Sequence, residues 1–199
     1  DGGREHALAW AVAKSPKLTK LYAAPGNAGI AGVAECLDIG AEDIPGICKA
    51  VENLKIDFVI VGPEAPLVAG LADRIEDMDV PVFGPSAKAA ELEGSKGMMK
   101  DLLFKYGIPT ADYERFDEPD SAKEYIRVKN KPVVVKADGL AAGKGVILSH
   151  TVTEAYAAVD QIMIEEAFGN AGDEIVIEEF LTGEEASFFA LCDGERAIP

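Results

Sequence analysis

The first two-fifths of the chain repeats one unit: a short apolar run, a glycine or proline turn, and then a helical pattern. Residues 18–24 run into the turn 25–29 (PGNAG), residues 57–61 (DFVIV) break at Gly62-Pro63-Glu64, and residues 80–83 (VPVF) end at Gly84-Pro85. Helical periodicity fills the intervals 4–14, 43–54 and 66–78, the first with Ala7, Leu8, Trp10 and Ala11 as its apolar face. Parallel neighbours need a crossover, so this alternation predicts βαβ units and a parallel sheet. Ligands of such sheets gather at the carboxyl ends of the strands, which places the Gly/Pro turns along one crevice. The sequence opens inside a turn, Asp1-Gly2-Gly3, with no Met. The expectation is a further strand before Gly2, whose loss would bare an apolar sheet edge.

From residue 95 the pattern changes. Residues 95–106 read as an amphipathic helix with Met98, Met99, Leu102, Leu103 and Tyr106 on a core-facing side, stopped by Gly107 and Pro109. Ser121-x-x-Glu124 and Thr151-x-x-Glu154 read as capping boxes, each opening a helix. Apolar runs at 132–136, 146–148, 174–181 and 187–192 read as strands, and Asp193-Gly194 as a hairpin turn. Two helices on an antiparallel sheet form an α+β unit. The expected division is 1–94 for the parallel-sheet domain, 95–120 for a connecting helix, and 121–199 for the second lobe.

The most informative stretch is 136–146 (KADGLAAGKGV). Lys136 ends an apolar strand, Gly139, Gly143 and Gly145 follow, and Lys144 sits between the last two. Glycines let a backbone turn tightly and aim N–H groups at an anion, and the lysines add positive charge. Two readings are open: a loop that covers a polyphosphate, or a flexible hairpin with solvated lysines. The loop is not a Walker A motif, since G-x-x-x-x-G-K-[ST] is absent. Glu178, Glu179, Phe180 and Leu181 offer an extended backbone and apolar side chains suited to an adenine edge, or else a sheet edge with solvated acids. Gly2-Gly3 before a helix reads either as a phosphate cradle or as a plain turn.

Composition narrows the partners. Lys plus Arg number 19 against 35 Asp plus Glu, a formal charge of −16. This acidity argues against non-specific nucleic-acid binding and against electrostatic attachment to anionic lipid. No apolar run approaches the roughly 20 residues of a membrane-spanning helix. Cys36, Cys48 and Cys192 form no C-x-x-C pair and read as incidental thiols of a reducing cytoplasm. His6 and His150 are the only histidines, too few for a His-rich metal site.

Six blocks, 2–8 (GGREHAL), 24–29 (APGNAG), 61–67 (VGPEAPL), 92–96 (LEGSK), 136–146 (KADGLAAGKGV) and 178–187 (EEFLTGEEAS), together resemble the phosphoribosylamine–glycine ligase family of ATP-grasp enzymes. The resemblance runs in order over essentially the whole chain. It implies a Rossmann-like (pre-ATP-grasp) domain followed by an ATP-grasp lobe, and an ATP-dependent ligase of purine synthesis acting on glycine and 5-phosphoribosylamine. It also implies that Lys96 and Lys136 contact ATP phosphates, that the loop with Gly139, Gly143, Lys144 and Gly145 covers them, and that Glu178, Glu179, Phe180 and Leu181 hold adenine, with Glu185 on the ribose. Gly3, Arg4, Glu5, Gly26, Asn27, Pro63 and Glu64 would line the phosphoribosylamine crevice. ATP is expected with Mg²⁺, or Mn²⁺ in its place, on ligands beyond Pro199, so the segment alone is expected not to turn over. Asp1 departs from the family, where a neutral residue is expected.

Overall fold

The computed structural model describes residues 2–141 and 143–199; Asp1, in the opening turn, and Ala142, in the glycine loop, lie outside them. The N-terminal part holds helix α1 (Gly3–Val12), strands β1 (Tyr22–Ala23) and β2 (Glu35–Cys36), helix α2 (Ile44–Leu54), strand β3 (Val59–Ile60), helices α3 (Glu64–Val68) and α4 (Leu71–Glu76), strand β4 (Val82–Phe83) and helix α5 (Ala87–Gly94). Its strands are parallel, as the alternation predicts, but they form two separate pairs, β1 with β2 and β3 with β4. The sequence reading missed β2, which follows β1 through a loop with one 3₁₀ turn at Ile30–Gly32.

The core of this part, around Val51, Val61, Leu67, Leu71, Ala72, Ile75 and Ala90, packs α2, α4 and α5 on the β3–β4 pair. Beside this core lies an apolar groove of about 480 Å³ bordered by Leu8, Tyr22, Val51, Val59 and Ile60. The apolar face of α1 is not buried: Leu8, which borders that groove, and Trp10 are both exposed, and α1 has no buried residue. The helix expected over 66–78 is two helices, because Gly70 at φ +89° breaks it.

The second part begins with α6 (Lys96–Lys105), capped by the Ser95 hydroxyl, which accepts from Met98 N at 3.0 Å. Then come strand β5 (Tyr113–Phe116), helix α7 (Pro119–Lys129), strands β6 (Val133–Ala137) and β7 (Val146–Ser149), helix α8 (Val152–Val159), continued by a π-helical turn, and strand β8 (Ile175–Glu179). The four strands form one antiparallel sheet in the order β5-β8-β6-β7. Its inward face, Val133, Val135, Ala137, Ile175 and Ile177, packs on Ala122 and Ile126 of α7 and on Ala155, Ala158 and Val159 of α8. A short antiparallel pair, β9 (Leu191–Cys192) and β10 (Ala197–Ile198), closes the chain around Asp193-Gly194. The Asp193 carboxylate there accepts from Glu195 N and Arg196 N at 2.9 and 2.7 Å.

Three further expectations are corrected. Ser121 does not cap a helix: α7 opens three residues earlier, with Glu118 as N-cap and Pro119 at N1, where the missing proline N–H costs nothing. Thr151 does cap α8, and Glu154 reaches back to His150 N at 2.8 Å. The core-facing side of α6 is not the methionine face. Met98, Met99, Leu102 and Leu103 are half-buried and Tyr106 is exposed, whereas Gly97 and Lys100 point inward. The strand expected over 187–192 is confined to Leu191–Cys192.

Candidate functional site

One face of the antiparallel sheet meets α7 and α8; the other carries the chemistry. Lys136 lies opposite Val176, and Glu178 opposite Val134, so Lys136 and Glu178 are diagonal neighbours on the same face. Lys136 Nζ pairs with Glu178 Oε1 at 2.7 Å, and Lys100 Nζ from α6 pairs with Glu178 Oε2 at 3.0 Å. Lys100 also donates to Thr110 Oγ1 at 2.7 Å. Side-chain exposure falls from 23% at Lys136 to 7% at Glu178 and 4% at Lys100, so only Lys136 reaches the open side.

Lys96 comes to the same place from the first turn of α6. Its Nζ donates to Gly139 O at 2.9 Å and to Asp138 O at 3.3 Å. Burial, with Lys136 nearby, pulls its pKa below the ordinary lysine value, and Asp138 opposes that shift. The helix start is tied to the strand end as well: Gly97 N donates to the Asp138 carboxylate at 2.6 Å, and Lys96 N to Asp138 O at 3.1 Å. Gly97 is glycine for a reason, since a Cβ there would collide with the Arg115 guanidinium. Arg115 in turn joins Glu174 and Asp101, and so fastens β5, β8 and α6 together.

The glycine loop is rooted firmly and open at its tip. Ala137 N donates to Gly145 O at 2.8 Å, and Gly139 N to Ala171 O at 3.1 Å. A Cβ on Gly139 would sit 2.9 Å from Ala171, and one on Gly145 would sit 2.7 Å from the Ala141 side chain. These two glycines serve close packing, while Gly143, at φ +75° with open space around it, and Lys144 are exposed at the tip. The Gly139 N–H is already used within the fold, so any anion the loop covers takes other donors.

Beyond β8 the residues expected near adenine are less enclosed. Glu179 is exposed and its N–H donates to Asp112 O at 2.8 Å. Phe180 is half-buried with its ring 5.0 Å from that of His150, and Leu181 and Glu185 are exposed. Thus Lys96, Lys136, Gly139, Gly145 and Glu178 are gathered in one place, whereas among the described residues the side chains of Lys144 and Glu185 join none of these contacts.

In the N-terminal part the three turns converge. Arg4 pairs with Glu64 at 2.9 Å, which raises the arginine pKa further. Asn27 Nδ2 donates to Gly2 O at 3.3 Å, while its Oδ1 accepts from Gly29 N and Ile30 N, both at 2.9 Å. Glu5 accepts from Gly2 N at 2.6 Å and lies against Gly62, where a Cβ would come within 2.7 Å of its Cγ. Gly26, at φ +82°, packs against the Cys36 thiol, Pro63 caps α3, and Gly3 opens α1. The turns that carry Gly3, Arg4, Glu5, Gly26, Asn27, Pro63 and Glu64 are therefore neighbours, and Glu5, Gly26 and Pro63 also line the apolar groove.

The sequence reading missed Lys100, Asp138, Arg115 and Glu174. A signal for Lys100 was present: it stands four residues after Lys96, so both lie on one helix face, amid apolar neighbours. Nothing local marked Arg115 or Glu174, whose partners are distant in sequence. No group of three or more His, Cys, Asp or Glu able to hold a metal ion is gathered among the described residues. The described residues alone therefore do not assemble a site for Mg²⁺ or Mn²⁺. Among them, too, no helix is long and apolar enough to cross a membrane.

Two family models match the chain end to end: the phosphoribosylglycinamide synthetase N domain over residues 1–93, and the phosphoribosylglycinamide synthetase ATP-grasp (A) domain over residues 94–199. The chain is 58% identical over 198 residues to the phosphoribosylamine–glycine ligase of Rhizobium meliloti, with 100% of this chain and 47% of that protein covered. It is 59% identical to that of Brucella melitensis, covering 100% and 46%. The solved phosphoribosylamine–glycine ligase of Thermotoga maritima superposes with a TM-score of 0.79 at 35% identity, covering 100% of this chain and 46% of that one. The chain spans about half the length of the curated relatives it matches.

Proposed function

The chain belongs to the phosphoribosylglycinamide synthetase family, and from that premise we propose that the protein carrying it joins glycine to 5-phosphoribosylamine at the expense of ATP. The reaction runs in two displacements. A glycine carboxylate oxygen attacks the γ-phosphorus of ATP, and ADP leaves. The amine of 5-phosphoribosylamine then attacks the acyl carbon of glycyl phosphate, phosphate leaves with the C–O electron pair, and the amine gives up a proton. The products are glycinamide ribonucleotide, ADP and phosphate. A free carboxylate is a poor electrophile, and phosphorylation makes its oxygen a leaving group.

The observation that supports this most is the convergence of Lys96 and Lys136 at the root of the glycine loop, on a chain that matches both family models in order. Two lysines beside a loop with an open tip suit a polyphosphate, and their contribution is positioning and charge neutralisation. In this reading Gly139, Gly143, Lys144 and Gly145 close over the phosphates and keep water from the acyl phosphate. Glu178, Glu179, Phe180 and Leu181 hold adenine, partly by backbone, and Glu185 serves the ribose once the lobe is closed. The crevice of Gly3, Arg4, Glu5, Gly26, Asn27, Pro63 and Glu64 takes phosphoribosylamine. Residues 1–94 act as the substrate domain, 95–120 as the connection, and 121–199 as the glycine-loop lobe of a cytoplasmic enzyme.

The test is ADP release by the full-length protein with Mg-ATP, glycine and freshly generated phosphoribosylamine, omitting one component at a time. ADP that appears only with all three upholds the reading. ADP release with bicarbonate in place of glycine would move the protein to an ATP-grasp carboxylase.

A further inference from the structure

We propose that Lys100, which has no place among the expected ligands, is a positioning residue that keeps the charge of Lys136 available to the ATP phosphates. The inference rests on the reading of Lys136 as a phosphate ligand and deepens it. Glu178 stands between two lysines, 3.0 Å from Lys100 Nζ and 2.7 Å from Lys136 Nζ. The three side chains carry a formal charge of +1. Only Lys136 opens toward the cleft, so the surplus charge is presented there.

Without Lys100 the sum is zero. Glu178 would then be balanced by Lys136 alone, and an approaching anion would meet a neutral pair. A buried carboxylate draws strongly on whichever cation is left to it. Lys100 is well placed to prevent that. Thr110 Oγ1 and Ala111 O accept from its Nζ at 2.7 and 3.4 Å, and these contacts aim it at Glu178 rather than at solvent. With side-chain exposure of 4%, it does not itself reach a ligand in the cleft.

The experiment is a double-mutant cycle in the full-length protein, read as the Kd for ATP by titration calorimetry, with adenosine as a competitor. Lys100→Gln keeps hydrogen-bonding capacity and removes the charge. It should weaken ATP about tenfold, the scale of one charge-assisted contact, and leave adenosine within about twofold. Adding Glu178→Gln to Lys100→Gln restores the sum to +1 and should recover most of the lost ATP affinity, a non-additivity that a merely structural Lys100 does not produce. Unchanged ATP affinity in Lys100→Gln, equal loss of ATP and adenosine, or strictly multiplicative losses would each overturn the proposal.

If Lys100→Gln does not fold, the neutral pair Lys100→Met/Glu178→Gln replaces it. In that background Lys136→Met should cost as much ATP affinity as in the wild type, and a smaller cost overturns the proposal. A wild-type protein that binds no ATP would instead overturn the functional reading on which the proposal stands.

Discussion

The two parts of the molecule solve the same problem with opposite economy. In the C-terminal part, four antiparallel strands form one sheet, and one of its faces is filled by α7 and α8. In the N-terminal part, two parallel pairs stand apart, with an apolar groove of about 480 Å³ beside them. In the antiparallel sheet only β6 and β7 are consecutive partners; β5 and β6 both pair with β8, which follows α8. The parallel pairs join strands nearer in sequence, across a 3₁₀ loop or across α3 and α4, but each stops at two strands. The sites follow the same contrast. The C-terminal site sits on a continuous sheet face and is crossed by buried ion pairs, whereas the N-terminal crevice is made of turns tied by exposed side chains.

The largest effect that would test this contrast is truncation of equivalent side chains. Ile177 on β8 is 1% exposed and Ile60 on β3 is 38% exposed. Ile177→Ala should cost about 3 kcal/mol, from lost burial and a residual cavity. Ile60→Ala should cost about 1 kcal/mol or less. Denaturant titration of the full-length protein checks both, and equal losses would show that the N-terminal core is as tightly packed as the C-terminal one.

The same contrast governs what the sequence showed. Helix and strand alternation was legible because apolar periodicity and Gly/Pro turns are local signals. The six motif blocks singled out Lys96, Lys136 and the N-terminal turns because each block is contiguous in the sequence. Less visible were features decided by tertiary partners. The methionine face of α6 looked like its core side, yet Gly97 and Lys100 point inward, because Asp138, Arg115 and Glu178 from other elements meet them there. The spacing from Lys96 puts Lys100 on the same helix face, but its burial is decided by Glu178, a partner from another element. The apparent capping box at Ser121 failed because Pro119, with its φ already set for a helix, starts α7 earlier.

A middle-sized test compares two glycines at positive φ, one in each part. Gly26 has φ +82° and a Cβ there would collide with the Cys36 thiol, whereas Gly143 has φ +75° and open space. Gly143→Ala meets only backbone strain, about 1 kcal/mol. Gly26→Ala adds a steric clash and should cost about 2 kcal/mol or more. Thermal unfolding of both variants checks the order, and a reversal would mean that the loop around Gly26 shifts freely to make room.

The smallest expected effect, and the one most specific to the sites, is a difference in pH response between the two cations. Burial and nearby Lys136 lower the pKa of Lys96, whereas pairing with Glu64 raises that of Arg4. The protonated lysine is the form that attracts phosphate. A lowered pKa means that this form is lost sooner as pH rises, so ATP affinity should begin to fall below the ordinary lysine value near 10.5. Arg4 stays charged throughout that range, so the affinity for phosphoribosylamine should show no matching decline from this residue. Titrating each ligand between about pH 7.5 and pH 10, on either side of the reference pKa of an α-amino group, separates the two curves. Lys96→Arg should flatten the ATP curve, because a guanidinium does not deprotonate there. An ATP curve that still falls in Lys96→Arg would move the alkaline transition from Lys96 to another group of the cleft, and would leave the buried start of α6 without its role at the phosphates.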